Sequence, residues 1–395
     1  MCTLVKLGMT AALVVFSIGS FSAPVRADDA GAIAAVADQS FKPLLDKYGV
    51  PGIAVAVTVD GHQYFFNYGV ASKDKNTPVT NDTLFELGSI SKTFNATLFG
   101  LAAVRGKIAL NDHPGKFIPA LRGSSIDEAT LLNLGTYTAG GLPLQLPDSV
   151  KSDAGMIDYF RAWKSSAAPG ALRRYSNPSI GLFGRITASA LGDDYAKLVE
   201  SEIFPKVGMR ESYIHVPATA MARYAWGYSK SGVPVRVNSG VFDAEAYGVK
   251  ASSADMVRYV EANIRPGVLE APIPQAIEAT HVGYFNTSEM AQGLGWEQYS
   301  YPVTLERLLA GNGDAMIFKS NAVTAITSPA PPSTPTLFNK TGSTNGFGAY
   351  VVFVPAKKIG LVILANKNLP NAARVTAAYQ VLKRLDPSIV STHGQ

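Results

Sequence analysis

The sequence predicts an α/β fold of the α+β type, in which helices flank an antiparallel sheet built from both chain termini. Two observations support this prediction. Strand patterns joined by tight turns cluster near the two ends of the 395-residue chain, and mainly helical patterns broken by Gly/Pro loops lie between them. We therefore expect a helical region inserted into the sheet part, with a functional site in the cleft between the two.

The first residues have the pattern of a secretory signal peptide. Lys6 precedes an apolar stretch from Met9 to Phe21, and Val25-Arg26-Ala27 offers a cleavage site. We predict a signal peptide at residues 1–27 and a mature domain at 28–395, exported to the periplasm of a Gram-negative cell. An uncleaved membrane anchor is the alternative, but the apolar run is short of a full span and is interrupted by polar residues.

Composition excludes several classes of function. The only cysteine, Cys2, precedes the apolar stretch, so we expect the mature chain to lack disulfides, a thiol nucleophile and cysteine metal ligands. The net charge of +5 comes from 35 basic and 30 acidic residues without a run of like charge, which argues against nucleic-acid binding. No other segment is apolar over the length of a bilayer, so we expect no membrane association after cleavage.

The mature chain opens with a helix and a strand pair. Ala30 to Tyr48 carries one apolar stripe, and Gly49 ends it. Ile53 to Val59 reads as a buried strand, and His62 to Tyr68 returns after the two-residue hairpin signal Asp60-Gly61.

A second hairpin and a last helix complete the sheet part. Ala349 to Val354 and Ile359 to Ala365 read as strands joined by a short turn, and a helix capped by Asn371 runs to about Leu385. We assign about residues 28–85 and 300–395 to the sheet part and the residues between them to the helical region.

Ser89 is the candidate nucleophile. It opens an S-x-x-K sequence, and the apolar pattern that follows predicts a helix with Ser89 at its N-terminus. A serine hydroxyl needs a base within hydrogen-bond reach, and Lys92 lies one helical turn further on the same face. Taken alone, Ser89 fits an ordinary helix-cap serine equally well. A second match, Ser72 to Lys75, reads as a solvated turn.

Two further motifs add to this one. Tyr175-Ser176-Asn177 precedes a predicted helix, and Tyr175 can relay a proton if nearby lysines lower its pKa. Lys340-Thr341-Gly342-Ser343 precedes the predicted strand Ala349 to Val354, and Gly342 would let a substrate backbone approach closely. Each motif has an imitation elsewhere in the chain: Tyr284 to Asn286 for the first, and Lys230 to Gly232, a predicted hairpin turn, for the second.

The order and setting of the three motifs resemble those of serine β-lactamases and D-alanyl-D-alanine peptidases. Within that superfamily the chain resembles the class C β-lactamases from about Asp28 to Leu385. The similarity is clearest in four blocks: 85–89 (FELGS), 137–145 (YTAGGLPLQ), 243–250 (DAEAYGVK) and 364–368 (LANKN). The resemblance implies hydrolysis of β-lactam antibiotics, with cephalosporins preferred, which confers β-lactam resistance.

The resemblance and the residue chemistry together suggest a mechanism. We expect Ser89 to attack the β-lactam carbonyl and form an acyl-enzyme that water then cleaves. Lys92 and Tyr175 would share the proton transfers, with the charge of Lys340 keeping Tyr175 acidic; which of the two is the kinetic base stays open. The resemblance implies that the backbone N–H groups of Ser89 and Ser343 form the oxyanion hole.

The resemblance also implies a set of substrate contacts. Gln145 and Asn177 are expected to hold the acylamino side chain, Tyr247 to line the site, and Asn371 and Arg374 to help receive the ligand carboxylate. By residue type alone, Arg374 reads more simply as a surface charge. The remaining expected contacts belong to the Lys340 motif: Thr341, Gly342 and Ser343.

Other chemistries lack residues to perform them. The five histidines, at 62, 113, 215, 281 and 393, form no metal-ligand pattern, and no G-x-S-x-G sequence frames a serine, so we expect neither a zinc enzyme nor an α/β-hydrolase esterase. We expect no metal or organic cofactor and a monomer with a small-molecule β-lactam substrate. The closest alternative is a D-alanyl-D-alanine carboxypeptidase acting on peptidoglycan stem peptides; a penicillin-binding sensor would need a membrane or signalling segment.

Overall fold

The computed structural model describes residues 27–390, with side chains from residue 30. The predicted signal peptide and Cys2 lie outside the described residues, except for Ala27, where the first helix begins. The helices are α1 (Ala27–Tyr48), α2 (Ser91–Val104), α3 (Pro114–Phe117), α4 (Leu131–Gly135), α5 (Asp153–Ala162), α6 (Asn177–Leu191), α7 (Tyr195–Leu198), α8 (Asp243–Ala246), α9 (Ser253–Ile264), α10 (Ile273–Thr280), α11 (Leu305–Gly311), α12 (Asp314–Phe318) and α13 (Asn371–Leu385). The strands are β1 (Gly52–Val59), β2 (His62–Ser72), β3 (Thr77–Pro78), β4 (Phe85–Glu86), β5 (Leu172–Arg173), β6 (Gly227–Tyr228), β7 (Pro234–Val235), β8 (Lys250–Ala251), β9 (Gly283–Asn286), β10 (Ala291–Gly293), β11 (Glu297–Ser300), β12 (Asn321–Ala322), β13 (Thr324–Ala325), β14 (Thr336–Ser343), β15 (Gly348–Val354) and β16 (Ile359–Ala365).

The main sheet joins the two ends of the chain, as the sequence predicts. Its strand order is β13-β9-β10-β11-β14-β15-β16-β1-β2-β3. The first strand, β1, pairs antiparallel with the last, β16, so that Ile53 lies opposite Ala365. The fold class is therefore confirmed, and its central strands come from opposite ends of the sequence.

The predicted boundary of the sheet part is wrong at one point. Strands β9, β10 and β11 come from residues 283–300, which the sequence analysis assigned to the helical region, yet they extend the sheet beyond β14. They are three or four residues long, too short to show an alternating pattern, and only pairing with β14 defines them. One imitation motif, Tyr284 to Asn286, lies on β9.

Alternation along the central strands gives the sheet two buried faces. In β1, Ile53 and Val55 belong to the core that includes α1 and α13, whereas Ala54 and Ala56 belong to the core that includes α2 and α9. Successive side chains of a strand point to opposite faces, so a continuous apolar run such as β16 fills both cores. A third core, within the helical region, packs α2 against α4, α5 and α6.

Three local predictions are corrected in detail. Lys340 to Ser343 precedes the strand Ala349 to Val354 as predicted, but it forms the end of a strand of its own, β14, which the sequence analysis did not include. The helix after Tyr175 begins at Asn177, because Ser176 caps it with a side-chain bond to the Ser179 N–H. Asn371 is the first residue of α13 and does not cap it; Pro370 occupies the cap position.

Two predicted turns are confirmed. Lys230 to Gly232 is the turn of the β6–β7 hairpin. Lys73 to Asn76 is a turn with both lysines exposed, but Ser72 is the buried last residue of β2 and does not belong to the turn. Among the described helices, none combines the length and the hydrophobicity needed to cross a membrane.

Candidate active site

An open cavity of about 770 Å³ lies where the helical region meets β14. Its wall includes ten of the residues that the sequence analysis selected: Ser89, Gln145, Tyr175, Asn177, Lys340, Thr341, Gly342, Ser343, Asn371 and Arg374. Lys92 lies behind the wall, fully buried, and Tyr247 lines an adjoining cavity of about 320 Å³ together with Gln145 and Asn177. The structure thus brings all twelve predicted site residues to one region.

Ser89 and Lys92 meet as the S-x-x-K spacing predicts. Ser89 sits in a single 3-10 turn, Gly88–Ile90, that leads directly into α2. The Nζ atom of Lys92 is 2.9 Å from Ser89 Oγ and 2.7 Å from the carbonyl oxygen of Ala246. Burial lowers the pKa of Lys92 to about 8, so an appreciable fraction of this amine is neutral near physiological pH.

Two glycines allow the nucleophile turn to lie against β14. A Cβ atom on Gly88, whose φ is +54°, would collide with the backbone of Ser343, and a Cβ on Gly342 would collide with the carbonyl oxygen of Leu87. The left-handed φ and the close approach both require glycine at position 88. The contact brings the backbone of Ser343 next to the Ser89 turn, where two N–H groups can face one oxyanion.

Tyr175 lies between two lysines. Lys92 Nζ is 5.2 Å and Lys340 Nζ is 5.1 Å from the centre of its ring. Burial opposes ionisation of Tyr175, but the charges of Lys340 and Lys92 outweigh it and lower the pKa of Tyr175 below its ordinary value. The hydroxyl has no hydrogen-bond partner among the described residues, which leaves it available to a reacting group.

Glu297 and Arg173 belong to the site but were missed by sequence reasoning. Glu297, on β11, accepts a hydrogen bond from Lys340 Nζ at 3.0 Å, and Arg173 approaches the same carboxylate at 3.8 Å. All three side chains are buried. Burial disfavours the charged form of Lys340, but Glu297 and Tyr175 outweigh it and raise the pKa of Lys340.

Tyr137 was noted in the sequence only as part of a block. Its ring packs 4.8 Å from the ring of Tyr175, and the Arg173 guanidinium lies 5.4 Å from the Tyr137 ring and 5.6 Å from that of Tyr175. Tyr137 has a φ of +63°, a conformation costly for a bulky residue. Such strain is a signal that backbone geometry reveals and sequence does not.

Arg374 and Asn371 line the cavity, but the two terminal nitrogens of Arg374 and the amide of Asn371 are bonded internally, while the buried Nε of Arg374 has no partner among the described residues. Arg374 is 1% exposed, so the surface-charge interpretation is wrong. Its guanidinium donates to the carbonyl oxygens of Gly342 and Ala349, to Ser343 Oγ and to Asn371 Oδ1. The Asn371 amide donates to the carbonyl oxygen of Asn312 at 3.2 Å. Burial lowers the pKa of Arg374 to about 9.

The site offers acid–base and nucleophilic chemistry. Within residues 27–390, no group of three or more His, Cys, Asp or Glu side chains is placed to hold a metal ion. A serine touching a buried lysine, a tyrosine between two lysines and two backbone N–H groups form the set required for acyl transfer.

Comparison with known proteins identifies the family. The Beta-lactamase family model matches residues 37–386. A curated beta-lactamase of Pseudomonas fluorescens is 51% identical over 351 residues, which cover 89% of this chain and 98% of that protein. A solved class C beta-lactamase in complex with cefoxitin is 48% identical, with a TM-score of 0.87 over 90% of this chain and 99% of that one.

A second solved structure carries a different activity in its name. The D-alanine carboxypeptidase AmpC from Burkholderia cenocepacia is 47% identical, with a TM-score of 0.85 over 89% of this chain and 99% of that one. The match to the family model, the similar relatives and the shared fold confirm the resemblance seen in the sequence. This chain belongs to the class C serine β-lactamases, which are hydrolases that open the β-lactam amide.

Proposed function

We propose that this enzyme hydrolyses β-lactams through a covalent acyl-enzyme on Ser89 and that cephalosporins are its preferred substrates. The observation that carries the acyl-enzyme is the 2.9 Å contact between Lys92 Nζ and Ser89 Oγ, next to a tyrosine of lowered pKa. Ser89 Oγ bonds to the lactam carbonyl carbon as the amide C–N bond breaks, and the serine proton passes to the ring nitrogen. Water then attacks the ester and frees Ser89.

Lys92 and Tyr175 share the proton transfers of the acylation step. In its neutral form Lys92 can accept the Ser89 proton, and Tyr175 can relay it to the leaving nitrogen, with Lys340 favouring the phenolate. The two groups titrate as a unit because each alters the charge felt by the other. The N–H groups of Ser89 and Ser343 stabilise the negative oxygen of the tetrahedral intermediate.

The remaining predicted residues bind substrate. Gln145 and Asn177 border both cavities, a position suited to hold the acylamino side chain, with Tyr247 on the wall of the smaller cavity. Thr341 and Gly342 present the edge of β14 to the ligand.

The shape of the main cavity supports the preference for cephalosporins. Its wall continues past Asn371 to α11 and α12, where Met316 and Phe318 add apolar surface and Phe318 is 61% exposed. Cephalosporins carry a second substituent on the fused ring, and this surface can pack against it. A related class C β-lactamase has been solved in complex with cefoxitin.

The proposal is tested by measuring β-lactam turnover and the covalent acyl-enzyme adduct in the same reaction. A chromogenic cephalosporin in excess is mixed with the mature protein, ring opening is followed from milliseconds to minutes, and quenched protein is weighed by mass spectrometry. We expect many turnovers, a transient adduct on Ser89, and loss of at least about 10⁴-fold in rate for Ser89→Ala. Ser72→Ala, in the other S-x-x-K sequence, is the matched control and should keep the rate. Ring opening at wild-type rate by Ser89→Ala contradicts the mechanism.

Substrate preference is measured separately. The values of kcat/KM are compared for a penicillin and a cephalosporin that share one acylamino side chain. A higher value for the penicillin contradicts the proposed preference and leaves the acyl-enzyme mechanism intact.

The second candidate is a D-alanyl-D-alanine carboxypeptidase, favoured by the Burkholderia cenocepacia structure. Both activities begin with acylation of the same serine, so they differ in how fast water removes the acyl group. A single stoichiometric burst with a long-lived β-lactam adduct, together with release of D-alanine from an acyl-D-Ala-D-Ala peptide, favours the carboxypeptidase.

We further propose that the enzyme is exported to the periplasm, cleaved after Ala27, acts there as a monomer, and confers β-lactam resistance. Helix α1 begins at Ala27, so cleavage after Ala27 removes only the first residue of this helix. The intact mass of protein from a periplasmic extract should correspond to a chain starting at Asp28, and light scattering should give the mass of one chain. A mass that includes the first 27 residues contradicts the cleavage.

A further inference from the structure

The substrate carboxylate needs a positively charged partner in the cavity wall. Penicillins and cephalosporins carry a carboxylate next to the lactam nitrogen, and a cation that faces the cavity favours its binding. The family resemblance gives this role to Asn371 and Arg374. In the structure, however, the Arg374 guanidinium donates to four acceptors of the protein itself, and the Asn371 amide to Asn312.

The other cationic side chains of the cavity wall are also held by contacts within the protein, except for Lys230. Arg173 and Lys340 are buried around Glu297, with Lys340 in an ion pair at 3.0 Å. Lys230 also lines the cavity, but it is exposed and makes no ion pair within the described residues. Lys230 is therefore the cation of the described wall that a ligand carboxylate can reach without breaking an internal bond.

The turn that carries Lys230 is fixed to the site. Lys230 lies between β6 and β7, and the Tyr228 N–H donates to the carbonyl oxygens of Gly346 and Asn366. Gly346 belongs to the short connection that follows Ser343. The hairpin is thus anchored next to the end of β14, and only the flexible lysine side chain has to be ordered by the ligand.

We propose that Lys230 binds the substrate carboxylate at the mouth of the cavity, together with the hydroxyl groups of Thr341 and Ser343. Arg374 is then a positioning residue: its bonds to Gly342 and Ser343 fix the edge of β14 that faces Ser89. The inference rests on the proposed function of the site and adds a specificity-determining residue to it.

The test separates charge recognition from chemistry. Lys230→Met and Lys230→Glu are assayed against a chromogenic cephalosporin and its methyl ester, which lacks the negative charge. We expect KM for the free acid to rise about 5-fold in Lys230→Met and about 20-fold in Lys230→Glu with little change in kcat. The ester should be unaffected, and salt at 0.5 M should shrink the difference because it screens exposed charges. Lys230→Arg should keep KM near the wild-type value.

Lys73→Met is the matched control. Lys73 is exposed, lies in the turn next to the same hairpin, and changes the net charge equally, but it does not line the cavity. Its KM for the free acid should stay at the wild-type value. Unchanged KM in both Lys230 variants, or an equal loss for acid and ester, overturns the inference. Absence of a Ser89 adduct in the wild-type protein would instead overturn the proposed function.

Discussion

Lys340 illustrates how burial sets the charge of single residues in this enzyme. Alone in a buried site, its ammonium would tend to lose its proton, but the carboxylate of Glu297 at 3.0 Å outweighs burial and raises its pKa. Protonated Lys340 in turn lowers the pKa of Tyr175. The acidity of the tyrosine therefore depends, through Lys340, on the carboxylate of Glu297.

Glu297→Gln should move the whole pH profile of kcat/KM to lower pH. Without the carboxylate, the pKa of Lys340 falls, so the alkaline limb, where Lys340 loses its proton, shifts toward acid. The acid limb reports the loss of activity as Tyr175 becomes protonated. Glu297 raises the pKa of Tyr175, so removing its charge lowers this pKa and moves the acid limb to lower pH as long as Lys340 is charged. We expect a shift of about one to two pH units, measured as kcat/KM from pH 5 to 10.

Glu297→Asp keeps the negative charge and serves as the control. Both limbs of its pH profile of kcat/KM should lie at nearly the same pH as in the wild type. A purely structural role would lower the rate at every pH without moving the limbs. Limbs that stay in place in Glu297→Gln would show that this carboxylate does not govern the ionisation of the site.

Among the secondary-structure elements, the contact between β14 and the Ser89 turn sets the geometry of the proposed oxyanion hole. Gly342→Ala should lower kcat about 100-fold, because the new methyl group collides with the Leu87 carbonyl and separates the N–H groups of Ser89 and Ser343. The rate is measured under saturating cephalosporin, with circular dichroism to verify folding.

Gly267→Ala is the matched control, since a Cβ at Gly267 meets no atom within 4 Å and its φ is not left-handed. It should retain the wild-type rate. A Gly342→Ala enzyme with full activity would show that the close approach of β14 is not needed for catalysis.

Asn366, at the end of β16, joins three segments of the fold. Its Oδ1 accepts from the Gly52 N–H at 2.7 Å, and its Nδ2 donates to the carbonyl oxygens of Val70 at 3.0 Å and Trp226 at 3.1 Å. Asn366→Ala leaves these backbone groups unpaired in a buried place, so we expect the free energy of unfolding to fall by about 3 kcal/mol.

Urea unfolding followed by fluorescence measures this loss. Asn368→Ala, an exposed asparagine two positions further on, should change stability by no more than about 0.5 kcal/mol. Equal midpoints for the two variants would contradict the role given to Asn366.

For the whole molecule, the two parts of the chain meet at a site whose proposed chemistry uses only side chains and backbone groups. Because no cluster of metal-ligating side chains occurs within residues 27–390, we expect prolonged dialysis against a chelator to leave turnover unchanged. The same treatment of a zinc-dependent β-lactamase provides the control. Loss of activity that returns on adding zinc would contradict the metal-free mechanism.

The sequence by itself determined what depends on local pattern. Strand β16 has the predicted ends and helix α13 ends at Leu385 as predicted, because periodicity and turn residues act over a few positions. The pair Ser89 and Lys92 was predictable for the same reason, since a three-residue spacing is one helical turn. The order of the three motifs identified the family.

Only the tertiary structure decided what depends on contacts between distant segments. Glu297 and Arg173 are 124 residues apart, with Lys340 further on, and no spacing rule links them. Strands β9 to β11 were missed because pairing with β14 defines them, and Arg374 was misjudged because burial is a property of its neighbours. Motifs are local and so are readable in sequence, whereas burial and ion pairing arise when the chain closes the sheet from its two ends.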